Sequence, residues 1–270
     1  MNTPVLPPPE DALAAVFVQK YGTDERLGWG PAMRRRFGYH NPDDHYEAVV
    51  RALVDERTRW LDVGCGRELF PSNRSLAAEL AARCARLVGV DPDATLDENR
   101  YVHERVRASL QDYDGGEAFD LVTLRMVAEH VTDPPAVAAA IARALAPGGF
   151  AVVYTVDGWS PMPLLTRLAP MRVRHVVKRF LWRTEEKDTF PTAFRMNSRA
   201  RLRAVLGAAG LEEVAFAWLD DCRTLGRFRA GQWLELCAWR ALRALGLRYP
   251  ERCLLGVYRK APAAARARTE

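Results

Sequence analysis

Between Arg59 and Arg67 the chain reads Arg-Trp-Leu-Asp-Val-Gly-Cys-Gly-Arg, a run that fits few local structures. Trp60-Leu61-Asp62-Val63 has the apolar character of a short buried strand that carries one carboxylate near its end. Gly64-Cys65-Gly66 follows as a tight turn, where two glycines let the backbone approach a ligand with no Cβ in the way. A second apolar strand, Leu87-Val88-Gly89-Val90, ends in Asp91-Pro92. Asp91 lies about 25 residues beyond Gly66, where an αβ unit places the end of the neighbouring strand. A carboxylate there can accept both hydroxyls of a ribose. It can equally open a helix as its N-cap. Together the two strand ends predict a nucleoside site.

The spacing narrows the nucleoside. A dinucleotide fingerprint requires Gly-x-Gly-x-x-Gly beneath a pyrophosphate. Here Leu69 stands at the third glycine position and Glu68 precedes it. An anionic Glu68 would compete with a pyrophosphate for backbone N–H groups. A neutral or cationic nucleoside with an amino-acid tail meets no such objection.

Strand and helix patterns alternate through the rest of the chain. Helices are expected from Asp11 to Lys20, from Asp43 or Asp44 to about Glu56, from Ser75 to Cys84 and from Pro135 to Leu145. Further strands are expected at Val102–Ala108, Phe119–Leu124 and Phe150–Val156, with Pro147-Gly148-Gly149 stopping the helix before the last of these. Val214–Leu219 and Cys253–Arg259 supply two more. This order implies parallel pairing with helices on both faces.

These motifs resemble the class I S-adenosylmethionine-dependent methyltransferases, small-molecule branch. Asp62, Gly64 and Gly66 match the first motif of that family, with Glu68 in place of its usual third glycine. Phe119-Asp120-Leu121-Val122 is similar to its fourth-strand motif, and Leu145-Ala146-Pro147-Gly148-Gly149-Phe150 to the turn into its fifth strand. Glu129-His130 resembles a dipeptide common in that branch. The resemblance implies an α/β fold, a doubly wound seven-stranded Rossmann-like sheet whose sixth and seventh strands are antiparallel. An N-terminal helical cap (1–57) would precede the methyltransferase domain (58–260), with a lid-like helical insertion (157–197) after strand 5 and a flexible tail (261–270).

The resemblance also implies site roles. S-adenosylmethionine would be held by Asp62, Gly64, Cys65, Gly66, Asp91, Pro92, Ser109, Leu110 and Arg125. Gly64 to Gly66 would approach its methionine part, and Asp62 would orient the loop or meet the amino group. Ser109 and Leu110 would cover the adenine. Arg125 would pair with the cofactor carboxylate or face surface or substrate. His130 is the leading general base, needed if the acceptor is a hydroxyl; its alternative is a residue bonded to neighbouring backbone. His40, His175 and Tyr39 stand in reserve.

Composition excludes several other classes. With 49% apolar and 27% charged residues over 270 positions, the chain is neither disordered nor too short for a sizeable core. Five scattered cysteines show no metal-ligand spacing, so no metal is expected. Met1-Asn2-Thr3-Pro4 lacks a signal-peptide pattern, and the most apolar stretch, Ala136–Val156, is broken by Arg143 and Pro147-Gly148-Gly149. A cytoplasmic protein is expected. Asp133-Pro134-Pro135 falls too far past the fourth strand to be the motif of nucleic-acid amino-methyltransferases, and reads as a helix start. Arg34-Arg35-Arg36 lacks the extended basic groove that a nucleic acid requires. It reads as a solvated helix end or a flap over the cofactor.

Acceptor choice is assigned to the added segments. Trp159–Trp182 mixes apolar residues with Arg167, Arg172, Arg174, Lys178 and Arg179. It suits a lid, a peripheral membrane contact with a lipid-like acceptor, or a protein partner. The expected activity is methyl transfer to a small-molecule or lipid- or sugar-linked acceptor. A nucleic-acid methyltransferase and a catalytically silent cofactor-binding partner protein are the alternatives.

Overall fold

Along a strand, consecutive side chains point to opposite faces, so a continuously apolar strand needs cover on both sides. Trp60, Leu87 and Leu121 face one way, against Tyr46, Val49, Val50 and Leu53 of one helix and Leu76 and Leu80 of another. Leu61, Val88 and Val122 face the other way, against Val137, Ile141, Leu202 and Leu206. All these strand residues are fully buried. Two helical layers therefore sandwich the sheet.

The computed structural model describes residues 3–23, 27–115, 119–168 and 192–262. Three helices come first: α1 (Glu10–Tyr21), α2 (Trp29–Phe37) and α3 (Pro42–Leu53). Then follow β1 (Arg59–Val63), α4 (Arg74–Arg83), β2 (Arg86–Val90), a 3₁₀ turn (Ala94–Glu98), β3 (Glu104–Val106) and β4 (Phe119–Arg125). The second half holds α5 (Pro134–Ala144), β5 (Leu145–Val156), α6 (Pro161–Leu168), α7 (Arg199–Ala208), β6 (Leu211–Asp220), α8 (Arg229–Ala244) and β7 (Arg252–Lys260). The sheet order is β3-β2-β1-β4-β5-β7-β6. β1 lies between β2 and β4, parallel to both, with Trp60 opposite Leu87 on one side and Leu121 on the other. The strand order reverses at β1, which opens the crevice where ligands bind in such sheets.

The doubly wound seven-stranded sheet matches the sequence reading, with three local differences. First, of the two C-terminal strands only β7 runs against the rest. It inserts between β5 and β6 and is antiparallel to each, which leaves β6 aligned with the first five. Second, α5 ends at Ala144, and Pro147-Gly148-Gly149 lies inside β5 rather than before it. Gly148 has φ +82°, and the register against β4 shifts between Phe119 and Leu121, so the motif forms an irregularity at the strand's entry. Third, α2 has no counterpart in the expected helices. Gly30, Pro31 and three consecutive arginines hide its periodicity, and packing of Met33 and Phe37 around Trp239 and Leu236 of α8 holds it.

Of the lid-like stretch, α6 is described; the expectations for 169–191, including His175, and for 263–270 lie outside the described residues. No described helix is long and apolar enough to cross a membrane.

Candidate active site

The carboxyl ends of β1, β2 and β4 meet at the crevice. Gly64 continues the ladder by donating its N–H to Val90 O at 2.8 Å. The chain then turns with φ +65° at Gly64 and +45° at Gly66, a conformation that favours glycine. The turn is held from both sides. Gly66 N–H donates to Asp91 Oδ2 at 2.9 Å, and Asn99 Nδ2 donates to Gly66 O at 3.0 Å. Asn99 is fully buried and had no signal in the sequence beyond its residue type. Cys65 is buried beneath the turn, where burial pushes its thiol well above the usual range. Its sulfur fills the space beside Gly89, where an added Cβ would stand 2.7 Å away.

Asp91 uses both oxygens on backbone. Oδ2 takes Gly66 N–H, and Oδ1 takes Asp93 N–H at 2.8 Å. The N-cap role belongs to Asp93, whose side chain accepts Thr95 N–H at 2.8 Å. A carboxylate has about four lone-pair sites, so Asp91 keeps one per oxygen for a vicinal diol. Pro92 is exposed next to it.

Asp62 lies deeper and ends a relay of donors. Trp60 Nε1 donates to Thr123 Oγ1 at 2.7 Å, and Thr123 donates to Asp62 Oδ1 at 2.5 Å. Burial pushes the Asp62 carboxyl up to about 7; the Thr123 hydrogen bond and the charge of Arg125 work against that rise. After β3, the Ser109 hydroxyl donates to Asp112 Oδ2 at 2.6 Å, and Leu110 is buried against the α5 layer.

Arg125, at the end of β4, donates to Asp43 Oδ1 of α3 at 3.1 Å. Arg223, beyond β6, also pairs with Asp43 and holds Asp221 through two bonds of 2.6 and 2.7 Å. The chain Arg125–Asp43–Arg223–Asp221 ties the N-terminal helices to the ends of β4 and β6. Tyr46 of α3 stacks on Tyr154 of β5 in the same layer, with centroids 5.3 Å apart.

The turn after β4 contains Met126, whose φ of +53° is left-handed. Such a backbone costs a non-glycine residue on the order of 1 kcal/mol or more. Its N–H is satisfied by Tyr154 O at 2.8 Å. The other left-handed non-glycine among the described residues is Phe194, at +51°. Both line one cavity of about 380 Å³ over the ends of β4, β5 and β6. Val156, Met162 and Pro163 add apolar wall, and Asp221, Arg223 and Glu251 add charge. Glu251 Oε2 accepts Met162 N–H at 3.0 Å, fastening the start of α6 to the turn before β7. Burial pushes the Glu251 carboxyl up to about 7, helped by nearby Asp221 and Asp157 and opposed by the Met162 N–H.

Glu129 does not open onto this cavity. It is buried and accepts from Thr155 Oγ1 at 2.6 Å, while its carbonyl takes the N–H groups of Ala193 and Phe194. It thereby anchors the segment that carries Phe194. His130 is half-buried on the same turn, its N–H on Val127 O at 2.9 Å, and is not among the residues lining the cavity. Tyr39 is buried, its hydroxyl donating to Asp220 O, and His40 sits beside Glu10; neither reaches the crevice.

A methyltransferase-domain family model matches residues 34–215, more than half of the chain. The chain belongs to the class I S-adenosylmethionine-dependent methyltransferases. Among curated relatives, the ubiquinone biosynthesis O-methyltransferase of Rhodopseudomonas palustris (strain BisB18) is 35% identical over 39% of this chain and 43% of its own. That of Psychrobacter cryohalolentis is 33% identical over 49% of this chain and 52% of its own. The match thus spans about half the length of those relatives. A solved methyltransferase from Archaeoglobus fulgidus shares the fold, with a TM-score of 0.50 at 15% identity over 84% of this chain and 97% of that one.

S-adenosylmethionine, the donor of this family, fits the residues present. Gly64 is exposed at the crevice, and Asp91 retains acceptor capacity there. Arg125 and Asp62 offer opposite charges at adjoining strand ends.

Proposed function

We propose that this methyltransferase transfers the methyl group of S-adenosylmethionine to a hydroxyl oxygen of a small acceptor with an apolar body. The observation that carries the reading is the 380 Å³ cavity beside the cofactor crevice, apolar for most of its wall and bearing one carboxyl poised near neutrality. The names of the curated relatives, O-methyltransferases, support oxygen as the acceptor atom.

When bound, the sulfonium supplies an already activated methyl group. The chain's own residues have three tasks. Gly64 to Gly66, Asp62 and Asp91 hold and orient the donor, with Ser109 and Leu110 on the adenine side and Arg125 near the amino-acid tail. Met126, Val156, Met162 and Phe194 seat the acceptor and exclude water, and alignment of this kind can lower a barrier by about 7–11 kcal/mol. A base then takes the hydroxyl proton. Glu251 lines the cavity and is half ionised near pH 7, so it is the first candidate; His130 is the second.

Calorimetric titration with S-adenosylmethionine, beside NAD, tests the donor site. Micromolar binding of S-adenosylmethionine alone is expected, weakened about 10- to 100-fold by Asp91→Ala through loss of charge-assisted hydrogen bonds. A panel of phenols, catechols and alcohols with apolar tails, read by mass spectrometry, tests the acceptor. Methylation of amines only, or of none of the hydroxylated compounds, would refute the oxygen reading.

A further inference from the structure

Six of the ten large apolar residues that are exposed among the described residues fall in one stretch: Leu225, Phe228, Trp233, Leu234, Leu245 and Leu247. They belong to α8 and its two flanking turns. At about 100° per residue, α8 turns Leu236, Trp239 and half-buried Leu242 inward. Trp239 Nε1 donates to Asp220 Oδ2 at 2.9 Å, and Glu235 Oε2 accepts Leu225 N–H at 2.9 Å, which fixes that face against the body.

The opposite face is also apolar. Ala230, Trp233, Leu234, Ala238, Ala241 and Leu245 share an outward arc of about 140° that contains no charged residue. Trp233 is 47% exposed, Leu234 56% and Leu245 73%. A helix at a protein surface ordinarily turns a polar face to water. The exposed charge on α8 is confined to one margin, where Arg229, Arg240 and Arg243 stand over the rings of Trp29, Phe37 and Trp239. Arg227 and Arg248 flank the ends. Glu235, the one acid between Leu225 and Arg248, is buried.

We propose that the outer face of α8 docks on an anionic lipid surface. Trp233, Leu234 and Leu245 would enter the boundary between headgroups and acyl chains, and the arginine margin would meet lipid phosphates. An apolar face with a tryptophan and a one-signed basic edge is the pattern of helices that lie in the plane of a membrane interface. Charge argues against a second copy of the chain. A two-fold interface sets the same patch against itself, and this patch would bring arginines together with no exposed acid to pair them. The inference rests on α8 alone and is independent of the acceptor reading.

The test is flotation of the full chain with vesicles of equal parts phosphatidylglycerol and phosphatidylcholine, and with phosphatidylcholine alone. Wild type is expected to float with the anionic vesicles, less so as salt is raised. The double variant Trp233→Gln/Leu234→Gln is expected to bind at least tenfold more weakly. Both residues point to solvent, so its melting temperature and S-adenosylmethionine binding should match wild type and report that the fold is intact. The proposal is overturned if wild type stays with the unbound fraction for both vesicles. It is overturned equally if the double variant binds as well as wild type, or if sedimentation shows a stable dimer that the double variant dissociates while vesicles bind neither.

Discussion

Replacing Gly64 with alanine separates two constraints on the Gly64–Gly66 turn. The first is the backbone: φ at Gly64 is +65°, where a Cβ costs about 1–2 kcal/mol. The second is space. A Cβ built at Gly64 lies 2.4 Å from Cγ2 of Val127, on the turn after β4. Val127 would have to shift, at the about 1–3 kcal/mol typical of overpacking. Gly64→Ala should therefore lower the unfolding free energy by about 2–5 kcal/mol. Gly66→Ala is the internal control. Its φ is +45°, but the nearest atoms to an added Cβ are 3.8 and 3.9 Å away, so only the backbone term of about 1–2 kcal/mol applies. Val127→Ala removes Cγ2 and should rescue only the spatial part, giving a coupling of about 1–3 kcal/mol in the double-mutant cycle. Urea denaturation of the four variants at one pH measures all three quantities. Equal losses for the two glycine variants, or a coupling near zero, would refute the close packing of the Gly64–Gly66 turn on the turn after β4.

Three further outcomes follow from the charges. Asp62 has its carboxyl raised to about 7 by burial, so its contribution is fully present below about pH 4 and is lost as pH rises through 7. Asp62→Asn should flatten the fall in stability between about pH 4 and 7, by a few kcal/mol, in melts across that range; an unchanged slope would show that Asp62 does not titrate there. Glu251→Gln should lower kcat about 10²- to 10⁴-fold and abolish the rise in rate through pH 7 expected of a base raised to about that value. If His130→Ala abolishes turnover while Glu251→Gln does not, His130 is the base. Asp43→Ala leaves Arg125 and Arg223 facing each other and should cost about 3 kcal/mol in urea; a loss under about 0.5 kcal/mol would show the ion pairs to be incidental.

Legibility in the sequence tracked the range of the interactions. The strand ends at Asp62 and Asp91 and the turn at Gly64–Gly66 are local demands. A left-handed φ calls for glycine, and a buried parallel strand calls for an unbroken apolar run, so both leave marks in residue type. Helix α2 left only the reading of Arg34–Arg36 as a helix end or a flap, because its formation depends on Trp239 and Leu236, some two hundred residues away along the chain. The α8 stretch is broadly apolar in sequence, and its pattern alone does not tell which of Trp233 and Trp239 packs inward. Only the fold shows Trp239 turned inward and Trp233 outward.

The sequence by itself thus determined the layer order, the strand that ends in the Gly64–Gly66 turn and the carboxylate across from it, since each follows from periodicity or from a backbone conformation within a few residues. The tertiary structure decided the rest of the site. Asp43 meets Arg125 and Arg223 across 82 and 180 positions, and Asn99 clamps Gly66 across 33. Glu251 comes to face Met126 because β7 inserts between β5 and β6 and brings the turn before it to the carboxyl end of the sheet. Contacts of this kind depend on where strands are inserted, and strand insertion has no period and no spacing that a linear pattern can carry.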